Sequence, residues 1–362
     1  MSPLFPPNIG GIELFTSSIS LSLKERGHRV QVLSFRNDQT LPDTKDWNGI
    51  AVCRVSFLQG IALRNPAMLL RAQKDIRATV EAFSPDVVHL HVGGPILHAY
   101  LGCPAFRGIP LLVTVHDLPD SADQFPTVKS LLQQADWITT NSRIRLDDTV
   151  RFQPSARDRA ECLYVGKPVV TCSTAVERSQ NPLLFMAGRQ VMDKGFDLAI
   201  DAFAEVHKRH PQAKLVLAGT GPMHETLHRM TEALGLRESV QLLGVVSAEQ
   251  LAEWLARSWF ALVPSRHSES FGLVALEAMQ AGRAVLASRI GGLPEVVDDG
   301  VTGLLVEPGS ASALAQGMER LLKDTEQTFA MGHAGRNRAN SLFDWEKCVN
   351  GYEEILMRVA KS

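Results

Sequence analysis

At 362 residues the chain has room for two hydrophobic cores of ordinary domain size. Its 45% hydrophobic and 21% charged residues are those of a soluble globular protein, and a formal net charge of −2 gives no global pull toward nucleic acid or anionic lipid. No apolar run approaches membrane-helix length, and prolines stand where a signal peptide would carry its apolar core. The five scattered cysteines (Cys53, Cys103, Cys162, Cys172 and Cys348) include no Cys-x-x-Cys pair, so reduced thiols in a cytoplasmic protein are expected.

The chain opens Met-Ser-Pro-Leu-Phe-Pro-Pro-Asn-Ile-Gly-Gly-Ile-Glu. Gly10 and Gly11 precede a helix-periodic stretch from Leu14 to Lys24, which stops at Gly27 and is followed by an alternating strand, His28 to Ser34. A glycine pair opening a helix is either a plain turn or a loop whose amides cradle a phosphate. Leu41 to Asn48 reads as a polar loop, Gly49 to Phe57 carries a strand, and Pro66 to Phe83 is helical. Arg64, Arg71, Lys74 and Arg77 lie on or near that helix. A basic helix can touch anionic lipid as a weak peripheral contact at the inner membrane face, although a solvated face is the commoner case. Pro85 to Gly94 is a strand running into a glycine loop, with His89 and His91 two apart and so on one side. Together with His116 they invite a metal, but no carboxylate or cysteine at ligand spacing accompanies them, and strand-end histidines are the expected reading. The strand Ile109 to Val115 ends at His116-Asp117, either an acid/base pair or a structural cap for the following loop. Asp136 to Ser142 is the next strand, and Ser142 to Phe152 begins a helix.

Residues 153–182 hold Pro154, Gly166, Pro168 and Pro182 with few periodic apolar positions, which reads as the crossover between domains. A strand from Leu183 ends at Gly188, and Arg189 and Lys194 precede a helix from about Gly195 to His207. Two cations at a strand end suit a diphosphate, the arginine as a planar fork and the lysine as a point charge; alone they would pass for surface cations. Ala213 to Pro222 is strand plus a Gly219-Thr-Gly221-Pro turn, and Gln241 to Val246 a short strand. Phe260 to Val263 is a buried strand stopped by Pro264 and Ser265, with a helix from about Gly272 to Gly282, another strand, and a second glycine loop at Gly291-Gly292. The first amides of that helix, around Ser270, Phe271, Gly272 and Leu273, form a positive dipole end suited to an anion. Glu269 lies before the helix and Glu277 inside it, on an otherwise apolar face where an unpaired carboxylate is costly. Thr302 to Val306 is a late strand, and Ser310 to Leu322 and Trp345 to Val359 are helices. Alternating strands and helices in both halves predict two doubly wound parallel-sheet α/β domains, residues 1–166 and 167–343, facing across a cleft and closed by a helix over 344–362.

The stretch Ser-Phe-Gly-Leu-Val-Ala-Leu-Glu-Ala-Met, with seven residues between Glu269 and Glu277, resembles the Glu-x7-Glu signature of the family 4 retaining glycosyltransferases. Pro7-Asn-Ile-Gly10-Gly11-Ile-Glu13, Thr114-Val-His116-Asp117, Gly188-Arg189-x4-Lys194-Gly195 and Gly219-Thr-Gly221-Pro222 resemble further motifs of that family, so the likeness runs from Gly10 to the closing helix. It implies a GT-B fold and transfer of a hexose from a nucleoside-diphosphate sugar, UDP or GDP type, with retention. It also implies roles. Arg189 and Lys194 would hold the diphosphate with the amides near Gly272 and Gly11. Glu277 would hold the ribose, Glu269 the hydroxyls of the transferred sugar, and His116 the sugar. Gly221 would shape the pocket, and the backbone at Gly244 to Val246, Val245 included, would seat the base. No metal or other cofactor is expected, since no Asp-x-Asp triplet exists to clamp a metal–diphosphate.

Two departures stand out. The family carries an apolar strand before the first glycine loop, whereas here only Ser2 to Phe5 remain, broken by Pro3 and Pro6. That strand is therefore expected to be missing or vestigial, with exposed strand edges or a neighbouring segment in its place. The family's Asn-Gly turn near the crossover is replaced by Val165-Gly166-Lys167-Pro168. The competing readings are a non-catalytic nucleotide- or sugar-phosphate-binding protein or an epimerase on the same fold; a dehydrogenase would need the Gly-x-Gly-x-x-Gly fingerprint that the chain lacks.

Overall fold

Hydrophobic periodicity resolves into thirteen strands and fourteen α-helices among the described residues. The computed structural model describes all residues except 9, 39, 94–95, 119–125, 171–176, 268 and 362, so that Gly94, Cys172 and the middle of the expected crossover lie outside it. The chain divides into two units, one of Met1–Gly166 with Trp345–Ser362 and one of Lys167–Asp344.

The first unit runs α1 (Gly11–Glu25), β1 (Gln31–Phe35), β2 (Thr44–Trp47), β3 (Ile50–Val55), α2 (Phe57–Ala62), α3 (Pro66–Phe83), β4 (Val88–Val92), α4 (Ile96–Leu101), β5 (Leu111–Val115), α5 (Pro126–Gln134), β6 (Trp137–Thr140), α6 (Arg143–Phe152) and β7 (Ala160–Cys162). Its strands form two sheets, β1-β3-β2 and β4-β5-β6-β7, parallel except for β2. Local chemistry sets the ends. The Asn65 side chain accepts from the Met68 N–H and Pro66 opens α3, where its missing donor costs nothing.

The expected first strand is vestigial, and the remnant does more than its length suggests. Ser2 bridges Ser34 in parallel; the Ser2 N–H donates to the Leu33 carbonyl (3.1 Å), and the Phe35 N–H to the Pro3 carbonyl (3.1 Å). On the other side the His91 N–H donates to the Met1 carbonyl (3.0 Å), and the Met1 ammonium to the His89 carbonyl. Residues 1–3 thus sit between β1 and β4 and join the two sheets, instead of leaving two bare edges there. Pro3 is tolerated because its carbonyl accepts and no donor is asked of it.

Two segments read as irregular are strands. Leu41 to Asn48 contains β2, an exposed edge strand antiparallel to β3, and the stretch assigned to the crossover contains β7, which extends the sheet beside β6. The final helix, α14 (Trp345–Val359), belongs to the first unit, where Arg26, just past α1, donates to Glu353 (2.6 Å) and Glu346 (2.7 Å) and Tyr352 packs on Phe15.

The second unit runs β8 (Leu183–Ala187), α7 (Phe196–His207), β9 (Lys214–Ala218), α8 (His224–Ala233), β10 (Val240–Gly244), α9 (Ala248–Arg257), β11 (Phe260–Val263), α10 (Leu273–Gln280), β12 (Ala284–Ser288), α11 (Leu293–Val296), β13 (Gly303–Val306), α12 (Ala311–Lys323) and α13 (Thr325–Leu342). Its sheet is parallel throughout, in the order β10-β9-β8-β11-β12-β13. The central strands are apolar on both faces because helices cover both, and Leu184, Leu215, Leu217, Phe260 and Leu286 are sealed in one core with Phe196 and Phe203 of α7. From β8 the chain winds outward through β9 and β10, then returns to β11 on the other side. The order therefore reverses between β8 and β11, and in open α/β sheets ligands bind at the carboxyl ends of strands at such a switch point.

Candidate active site

At that switch point the loop after β8 meets the loop after β11. Lys194 Nζ donates to Glu269 Oε2 at 2.6 Å, and Ser265 Oγ donates to the same oxygen at 2.9 Å. The carboxylate is largely buried and the ammonium about one-third exposed. The sequence motifs place these two residues in separate phrases; the fold makes them one ion pair.

Backbone contacts hold the pair in place. Arg266 forks onto Asp197 of α7 (2.5 and 2.6 Å) and donates to the Met192 carbonyl, while its own N–H donates to the Asp193 carbonyl (2.7 Å). That bidentate geometry is the strong form of a guanidinium–carboxylate contact, and it ties the turn carrying Lys194 to the β11 loop. Gly195 follows at φ 74°, and a Cβ there would lie 2.1 Å from the Pro264 carbonyl oxygen, so only glycine lets the two loops approach this closely. The second glycine loop does the same from the β12 side: Gly291 has φ 55° with no room for a Cβ beside the Glu269 carbonyl, and the Gly292 N–H donates to that carbonyl at 2.7 Å.

The remaining candidates of this unit cluster on the same sheet edge. Arg189 is exposed after β8, with no ion-pair partner among the described residues. The Gly219–Gly221 turn packs on this loop, the Gln190 N–H donating to the Thr220 carbonyl (2.9 Å) and Gly221 standing against Gln190. Val245 is exposed just past β10, whose Gly244 carbonyl accepts from Gly219. Ser270, Phe271, Gly272 and Leu273 lead into α10, with Phe271 buried against Phe343 and Gly272 capping the helix at φ 102°. Glu277 lies on the second turn of α10, mostly buried, and forms an ion pair with Lys167. Burial pulls the Lys167 ammonium down to about 8.

In the first unit, Gly10 caps α1 in extended conformation and Gly11 is its first residue. His116, at the end of β5, is buried; its Nε2 shares a 2.9 Å hydrogen bond with His91 Nδ1, and Phe15 of α1 meets both rings edge-on. His89 bonds Thr114 instead, at 2.7 Å. Burial pushes His116 down to about 4 and lowers His89 and His91 well below the ordinary histidine range. Asp117 pairs with the buried Arg145 at 3.1 Å, which gives it a structural partner. No three His, Cys, Asp or Glu side chains converge as a metal site among the described residues.

Sequence reasoning missed Ser265, Arg266 and Lys167. Ser265 and Arg266 lie one residue past a buried strand, after Pro264, a position that could have flagged them, but their partners were unreadable. Lys167 was visible only as a departure from the family's Asn-Gly turn.

Known proteins match this chain along its length. The family model described as Glycosyltransferase Family 4 matches residues 9–166, and that described as Glycosyl transferases group 1 matches residues 173–338. The chain is 27% identical over 375 residues to N-acetyl-alpha-D-glucosaminyl L-malate synthase of Bacillus anthracis, covering 98% of this chain and 96% of that one. It is 27% identical over 384 residues to glycogen synthase of Mycobacterium tuberculosis, covering 98% and 92%. Among solved structures, sucrose-phosphate synthase from Thermosynechococcus elongatus superposes with a TM-score of 0.84 at 22% identity, over 98% of this chain and 94% of that chain. Anabaena HepE, in complex with UDP and glucose, gives 0.80 at 23% identity over 99% and 100%. With its two parallel-sheet α/β units, the chain belongs to the family 4 glycosyltransferases of GT-B fold.

Proposed function

We propose that this glycosyltransferase moves a hexose from a nucleoside-diphosphate sugar of the UDP or GDP type to a glycan, lipid or small-molecule acceptor, with retention of configuration and without a metal ion. The observation that carries the proposal is the Lys194–Glu269 pair, pinned at the switch point of the second unit's sheet. A departing diphosphate needs preorganised positive charge, and a hexose needs an acceptor for its hydroxyls. Lys194 supplies the first and Glu269 the second, with Arg189 and the opening amides of α10 beside them. Glu277 takes the ribose, Val245 and its neighbours the base, and Gly221 shapes the pocket wall. In the first unit, the assignment of His116 to the sugar and of the Gly10 and Gly11 amides to a phosphate rests on the family resemblance. The metal-free reading rests on these cations and helix amides standing in for a metal. The complex of HepE with UDP and glucose supports a nucleotide-sugar donor by analogy.

A screen of binding and turnover across UDP-, GDP- and ADP-sugars tests the reading. One donor class should bind and be hydrolysed or transferred. Binding without either reaction would favour the non-catalytic alternative, and no binding at all would remove the proposal. A peripheral contact with anionic lipid at the inner membrane face is a lesser part of it: Leu63 and Leu70 are exposed beside Arg64 and Arg71, and no described helix is long and apolar enough to cross a membrane. Sedimentation with anionic against neutral vesicles decides that point.

A further inference from the structure

Glu277 presents a physical problem that its own helix does not solve. It sits between Leu276 and Ala278, both fully buried, and its side chain is only 11% exposed. A carboxylate in such surroundings takes up a proton unless a charge or hydrogen bonds hold it ionised, and a protonated carboxyl is a poor acceptor for two hydroxyls of a diol. The partner is Lys167, which engages Oε1, while no described residue engages Oε2. Lys167 is itself anchored: Gln280, three residues beyond Glu277 on α10, donates from Nε2 to the Lys167 carbonyl at 2.8 Å. Backbone and side chain of the lysine are therefore both held by one helix, and its ammonium is largely buried.

We propose that Lys167 is a positioning residue for donor binding, which keeps the Glu277 carboxylate ionised and oriented so that Oε2 stays available to the ribose of a nucleoside diphosphate. This rests on the assignment of Glu277 to the ribose. The lysine also offsets the negative charge that Glu277 would otherwise set near an anionic diphosphate. It stands where the sequence has Val165-Gly166-Lys167-Pro168 in place of the Asn-Gly turn, so this chain fixes its ribose carboxylate with a residue of its own.

The test is calorimetric titration of the nucleoside diphosphate that the wild-type protein binds, and of its 2′-deoxy analogue, into wild type, Lys167→Met, Glu277→Gln and the double variant. Methionine fills the lysine's volume without its charge; Lys167→Gln serves if the methionine variant does not fold. Removing Lys167 should weaken ribonucleotide binding about tenfold, as expected for a charge-assisted hydrogen bond. It should also compress the preference for ribose over deoxyribose and raise KM more than it lowers kcat. In the double variant it should add less than about twofold to Glu277→Gln, because the two residues act as one unit. Unchanged affinity and unchanged ribose preference in Lys167→Met would overturn the inference while leaving the donor assignment standing. Wild-type protein that binds no nucleoside diphosphate would overturn both.

Discussion

Gly195→Ala is the substitution whose effect follows most directly from the geometry. The new Cβ would stand 2.1 Å from the Pro264 carbonyl oxygen, where 3.0 Å is about the least that real Cβ atoms show. The obstacle is backbone, so one loop must move by about 0.9 Å. The φ of 74° adds roughly 1 kcal/mol, because alanine dislikes the left-handed region. Lys194 adjoins the substitution, and its 2.6 Å bond to Glu269 cannot survive a shift of that size unchanged. A displacement near 1 Å at reacting groups typically costs about 100-fold in rate. We expect kcat/KM for the donor to fall by about two orders of magnitude, with a thermal midpoint only a few degrees lower and an unchanged far-UV spectrum. Steady-state transfer kinetics and a melting curve measure both. Wild-type kcat/KM in Gly195→Ala would refute the claim that loop approach sets the position of Lys194.

Other perturbations probe the rest of the site. Lys194→Ala should lose about 100-fold in transfer, the usual worth of one preorganised donor, and near-normal turnover would remove its diphosphate role. Glu277→Gln should weaken donor binding by about tenfold in calorimetry, and unchanged affinity would count against its ribose role. The buried histidines predict an acid limb of stability. Their folded-state values lie below the unfolded value of about 6.5, so the folded protein resists protonation there. The stability they allow is fully present above about 6.5 and is lost as pH falls toward 4, by a few kcal/mol for His116 alone. A thermal midpoint that stays level from pH 7 to pH 4.5 would contradict their burial as neutral groups.

What was legible in the sequence followed from residue type at one place. Gly188, Gly195, Gly272 and Gly291 mark sharp loops because no other residue adopts their backbone cheaply, and Phe260 to Val263 and Pro66 to Phe83 were readable to the residue from apolar runs and a proline start. What was not legible depended on distant partners. Nothing in Lys194 announces Glu269, in Arg266 Asp197, or in Lys167 Glu277. The strand β2 was hidden because Thr44-Lys-Asp is exposed and pairs on one side only, so it never needed apolar residues. The helix α13 was hidden for another reason: its Gly332 and Gly335 look like breakers, yet they let the helix lie against the Gly282 carbonyl and Met279.

The reversal of strand order between β8 and β11 also bears on how the second unit comes to be folded. Lys194 and Glu269 are 75 residues apart, and β8 can acquire β11 as its neighbour only after β9, β10 and their helices have been made. Closing a loop of that length carries an entropic cost repaid only when the late strand docks, which slows the step relative to local helix formation. A growing chain that has released residues through β10 holds β8 with one edge unpaired and apolar, a surface that invites wrong partners. The ion pair at the switch point is thus a late event, and its appearance during refolding should coincide with protection of the β8 and β11 amides from hydrogen exchange.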